Sequence, residues 1–170
     1  LLRLISLEWF LMDKNTAGMK VDLSEFLNTG FDLKGHLASY LELPLEEINS
    51  RLVKGSEDLA ALHPQTYEFE DPTRFYEENV GTAHLLDLAA WHLGSNDYIA
   101  DTLRLLKMFA KGNVLDFGGG IGTHALYAAS MKEVEHVWFV DLNPRNRAFV
   151  ELRAKELCLE DRISFHRDLK

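Results

Sequence analysis

Apolar residues recur at helical spacing as far as about Ala110, and beyond Gly112 they gather into short continuous runs. Leu1 to Met12 reads as an amphipathic helix interrupted by Arg3 and Glu8. Leu45, Ile48 and Leu52 predict one buried helical stripe behind Pro44, which suits a first turn. Gly55-Ser56 is expected to stop that helix and cap a new one, with Glu57 and Asp58 at the positive end of its dipole. His63-Pro64 closes the segment. Asp71-Pro72 opens another as N-cap and first helical residue. Its stripe is Val80, Ala83, Leu86, Ala90 and Leu93, widened by Leu85, Leu88 and Trp91. Gly94-Ser95 breaks that helix, and Ile99, Leu103, Leu106 and Ala110 mark one more before Lys111-Gly112.

After Gly112 the pattern predicts a strand at Asn113–Phe117, a helix at about Thr123–Ser130 and a strand at Val134–Val140. Asn143-Pro144 then caps a helix running to about Leu157, and Ile163–His166 reads as a third strand. Strand and helix in alternation imply parallel βαβ units with right-handed crossovers. The fold class is therefore α/β. A helical N-terminal region covers residues 1–111, and a partial parallel sheet of three strands covers 112–170.

Composition narrows the range of partners. The chain of 170 residues carries a formal net charge of -9, which disfavours a broad grip on nucleic acid. Arg145, Arg147 and Arg153 are expected on the solvated face of the last helix. The single cysteine, Cys158, permits no intramolecular disulfide and fits a reducing compartment, most simply the cytoplasm. Leu1–Met12 is too short to span a bilayer and has no clear cleavage site, so neither a membrane partner nor a secretion signal is expected.

The informative chemistry lies at Val114-Leu115-Asp116-Phe117-Gly118-Gly119-Gly120-Ile121-Gly122. Glycines directly after a strand let the backbone take positive φ and let a ligand approach it, and the next helix points its free N–H groups into the same space. Asp141 ends the second strand, where an acid in a nucleotide-binding sheet accepts from ribose hydroxyls. The dinucleotide fingerprint Gly-x-Gly-x-x-Gly counted from Gly118 would need glycine at 123, where Thr123 stands.

The arrangement is instead Asp-x-Gly-x-Gly-x-Gly. Asp116, Gly118, Gly120 and Gly122, followed by Asp141, resemble the first two cofactor motifs of class I S-adenosylmethionine-dependent methyltransferases, which carry a Rossmann-like sheet. Ile163-Ser164-Phe165-His166-Arg167-Asp168 looks like that family's third-strand motif. The resemblance implies S-adenosyl-L-methionine as cofactor, held by Asp116, Phe117, Gly118, Gly119, Gly120, Gly122, Asp141, Leu142 and Asp168. Asp116 would lie near the amino group and the glycine backbone along the methionine and ribose. Asp141 would take the ribose hydroxyls, Leu142 the adenine face and Asp168 the adenine edge.

The same resemblance implies a seven-stranded sheet with the first strand flanked on both sides, of which three strands are present. One edge of the first strand is then expected to be bare, so the chain is expected to be a truncated part of a longer protein or to be covered by a second copy in a homodimer. A small-molecule substrate is implied, with the helical region as its cap or as a dimerisation surface. No metal is expected, and no catalytic residue is identifiable. His84, His92 and His124 are candidate general bases, and Phe75 or Tyr76 a candidate cover for the cofactor. Two other readings stay open: a non-catalytic methyltransferase-like dimerisation module, and a fragment of an NAD(P)-dependent oxidoreductase.

Overall fold

The computed structural model describes residues 32–62 and 74–169. The helix expected at Leu1–Met12 and the boundaries at His63-Pro64 and Asp71-Pro72 lie outside them. Helix α1 (Leu33–Leu41) is capped by Asp32, whose side chain accepts from the Gly35 amide, and ends at Glu42 in the left-handed region. Helix α2 (Leu45–Leu62) runs without interruption. The break and new cap expected at Gly55-Ser56 do not form. Gly55 serves packing instead: a Cβ there would stand 3.1 Å from the Asp87 amide nitrogen and the Leu86 carbonyl carbon. Of the stripe, Ile48 and Leu52 are buried, whereas Leu45 is 52% exposed.

The single long helix expected from Asp71 to Leu93 is divided. One π-helical turn (Phe75–Asn79) is followed by α3 (Gly81–Gly94). Gly81 has φ +47°, a value that interrupts a right-handed helix and that other residues rarely adopt. Val80, Leu85, Leu86 and Ala89 are buried, and Trp91, expected in the stripe, is 49% exposed. Helix α4 (Asn96–Phe109) buries Ile99 and Leu103 as expected.

The second half follows its pattern closely: β1 (Gly112–Phe117), α5 (Thr123–Ser130), β2 (Val134–Val140), α6 (Pro144–Glu156) and β3 (Ile163–His166). The sheet is parallel in the order β1-β2-β3. The small residues Ala125, Ala128 and Ala129 of α5 lie against Val137 and Phe139 of β2, with Val150 and Ala154 of α6 completing that core. Helices α1, α2 and α3 form a second core that also takes in Ile121 and Phe149. The helical region is thus seated on the segment after β1 and on α6.

Among the described residues β1 pairs only with β2, so its other edge is bare. Leu115 and Phe117, on the sheet face away from α5, are 52% and 69% exposed, and Trp138, paired with Leu115, is 48% exposed. No helix among the described residues is long and apolar enough to cross a membrane. The close contact at Gly55 gives a direct test. Gly55→Val should overpack the α2–α3 interface by about 2 kcal/mol and lower the thermal midpoint by about 4–8 °C. A midpoint unchanged in a calorimetric scan would show that the helices do not meet there.

Candidate functional site

The site is built where β1 and β2 end side by side. The chain leaves β1 and bends across the tip of β2, with the Gly118 and Gly119 amides donating to the Val140 carbonyl at 2.8 and 3.2 Å. Gly118 and Gly120 have φ of +72° and +56°, so the bend needs a residue free of Cβ strain at both positions. A side chain at Gly118 would meet nothing within 4 Å. The loop is open there. At Gly119 the limit is space, and at Gly122 space adds to a positive φ of +72°. A Cβ at Gly119 would stand 2.3 Å from the Phe139 ring, and one at Gly122 would stand 2.4 Å from Val150.

Asp141 fixes this shape from the neighbouring strand. Its Oδ2 accepts from the Gly120 amide at 2.8 Å, and its Oδ1 from the Asn143 amide at 2.8 Å and Asn146 Nδ2 at 3.3 Å. Three of roughly four lone-pair positions on the carboxylate are therefore used by the protein. Arg147 Nη1 supports the same tip, donating to the Asp141 and Leu142 carbonyls at 2.5 and 2.9 Å. Arg147 and Arg153 depart from the solvated face expected of them. Arg153 is fully buried, and only Arg145 of the three is exposed. Charge alone suggests solvent, but helical phase carries the signal: Arg153 follows the buried Phe149 and Val150 by four and three residues and so shares their face.

Six of the expected cofactor residues, Phe117, Gly118, Gly120, Asp141, Leu142 and Asp168, line one cavity of about 370 Å³. Tyr76, His84, Leu88, Val140 and Arg167 complete its wall. Gly119 and Gly122 are not part of the wall. Asp116, expected near a ligand amino group, is not part of the wall; its Oδ2 lies close beneath Gly119, buried and without a hydrogen-bond partner. Burial pushes the Asp116 carboxyl up to about 6; the Ala125 amide opposes that rise, and the charge of Asp141 adds to it.

Of the two aromatic candidates, Tyr76 reaches the cavity, edge-on to His84 with ring centres 5.3 Å apart, and Phe75 packs behind it. His84 lines the wall, and its Nδ1 faces Asn143 Nδ2 and Asn146 Nδ2, each at 3.4 Å. His92 and His124 lie elsewhere, with ring centres 5.8 Å apart, and Thr102 Oγ1 holds His124 Nε2 at 2.8 Å. Burial lowers both, His92 to about 4, with the facing His124 adding to its shift. Leu88 and Arg167 escape sequence reasoning: one reads as an ordinary stripe residue, the other as a surface charge. Arg167 joins Asp168 at 2.8 Å and pairs with Glu77 of the π-helical turn, so the rim is closed by charges from distant segments.

Among the described residues no group of three His, Cys, Asp or Glu side chains is placed to hold a metal ion. Comparisons with protein-family models, with curated proteins and with solved structures found no match.

The buried Asp116 carboxyl has a measurable consequence. A carboxyl raised on folding destabilises the folded chain when ionised, so its cost is absent below about pH 4, grows through the range from 3.8 to about 6, and is complete above it. Asp116→Asn should therefore stabilise the chain by about 1–3 kcal/mol near pH 7 and by much less near pH 4. Urea unfolding at both pH values checks this; equal effects would show that burial does not raise the Asp116 carboxyl.

Proposed function

We propose that this chain is the cofactor-binding part of an S-adenosylmethionine-dependent methyltransferase acting on a small molecule. The observation that carries the reading is the one cavity shared by the open backbone at Gly118, by Gly120, by the Asp141 tip and by Leu142. S-adenosylmethionine, when bound, supplies a sulfonium methyl that an acceptor takes by in-line displacement, chemistry that rests on positioning and exclusion of water.

Each wall residue has a part in this reading. The bare backbone at Gly118 admits the amino-acid portion of the cofactor. The lone-pair position left on Asp141 accepts one ribose hydroxyl; accepting two would displace a bond to Gly120, Asn143 or Asn146. Leu142 and Tyr76 offer apolar surface to the adenine, and Asp168 offers an acceptor to its amino group. Asp116 contributes negative charge beneath the loop, complementary to a cationic sulfonium or ammonium group, without touching it. His84 is the histidine placed to take a proton from an acceptor, since His92 and His124 are away from the cavity. The lone Cys158 suits a reducing, cytoplasmic setting, and the net charge of -9 suits a substrate other than nucleic acid.

Calorimetric titration of the purified chain with S-adenosylhomocysteine and S-adenosylmethionine tests the reading. Both should bind, NADH should not, and Asp141→Asn should weaken binding roughly tenfold or more. A folded sample that gives no heat with either sulfur nucleoside, or that binds NADH instead, overturns it.

A further inference from the structure

Arg153 of α6 has none of its surface exposed. Its Nε donates to Nδ1 of His36 in α1 at 3.0 Å, across 117 residues of sequence. Its Nη1 donates to the Ile121 carbonyl at 2.8 Å and reaches Thr123 Oγ1 at 3.4 Å. The guanidinium carbon also lies 5.6 Å from the centre of the Phe149 ring. A guanidinium withdrawn from water is expensive to bury, and its planar fork is useful where two directions must be fixed together. Here one arm grips the exit of the glycine loop and the other grips the helical region.

His36 can complete this connection in one state only. Because Nδ1 accepts from a guanidinium N–H it carries no proton, so the proton sits on Nε2, which faces Glu156 Oε2 at 3.3 Å. Ser39 Oγ donates to the other oxygen of Glu156 at 2.7 Å. A second proton on the ring would set N–H against N–H and a positive charge beside Arg153. The charges acting on His36 are Arg153 and Glu156 from α6 and Asp32 from its own N-cap. Burial comes first and Arg153 second in favouring the neutral ring, while Glu156 and Asp32 oppose them. The charge of Arg153 also acts on His92 of α3, after burial and His124, in favouring a neutral ring there.

We propose that Arg153 is a positioning residue for the glycine loop: neutral His36 holds its guanidinium against the Ile121 carbonyl, and protonation of His36 releases that hold. The shape of the loop exit is then coupled to the docking of α1. The inference concerns the ligand-free chain and does not depend on which cofactor binds, so its failure and the failure of the methyltransferase reading are separately visible.

The test is NMR of the whole chain with nitrogen-15 label, in the Asp116→Asn background so that the carboxyl beneath the loop does not titrate. At about pH 7.5 His36 should show a bare Nδ1 and a protonated Nε2. As the pH falls toward about 5, the Gly122 and Thr123 amide signals should move with the His36 titration. His36→Gln presents an amide oxygen to Arg153 and an NH2 to Glu156, so it should keep the neutral-pH signals and remove the movement that follows His36. Arg153→Lys keeps the charge but not the fork, and should raise the exchange rate of the Gly122 amide roughly tenfold at neutral pH. A proton on His36 Nδ1 at neutral pH overturns the proposal. So does an unchanged titration of Gly122 and Thr123 in His36→Gln, and so does unaltered exchange in a folded Arg153→Lys protein.

Discussion

The hydrogen bond from the Gly120 amide to Asp141 is the contact on which the candidate site depends. It joins the loop after β1 to the tip of β2, and it does so with a buried carboxylate whose other oxygen already organises the start of α6 through Asn143 and Asn146. A loop of glycines has a large conformational entropy to lose, and an unanchored one would sample many shapes. Anchored at Gly120, and at Gly118 and Gly119 by the Val140 carbonyl, it presents an open backbone to a cavity instead of collapsing into it.

The charges around this loop are arranged in layers. Asp116 lies beneath Gly119 on one side, and Arg153 holds the Ile121 carbonyl on the other. Neither side chain forms part of the cavity wall. Each therefore acts through the backbone it supports or through its field, and the wall itself is left to Asp141, Asp168, Arg167 and a largely apolar lining.

The second half of the chain was readable because its boundaries are written in residues with few alternatives. The glycine run must bend, Asn143-Pro144 must begin a helix, and the short segments Val134–Val140 and Ile163–His166, rich in β-branched and aromatic residues, lie between turn signals, as strands do. The helical half was less legible. Gly55 looks like a stop signal, yet it lies inside α2, because the space it opens is used by the backbone of α3 and that neighbour is invisible from local sequence. Gly81 gives no sign that it takes a positive φ and divides a helix. The same limit applies to the site. The motif residues stand at their strand tips and Tyr76 is a candidate from its place before the sheet, whereas Leu88 and Arg167 join them only through tertiary packing, and the charge of Arg153 suggests solvent although the residue is wholly buried.

On the proposed reading, the open backbone beside Asp141 holds a nucleoside. A crystal structure of the chain grown with S-adenosylhomocysteine addresses it most directly. The ligand should lie along Gly118 to Gly120, with one sugar hydroxyl on Asp141 and the base against Leu142. A ligand bound elsewhere, or a loop that closes against its neighbours and leaves no room for it, would show that this is not a nucleoside site.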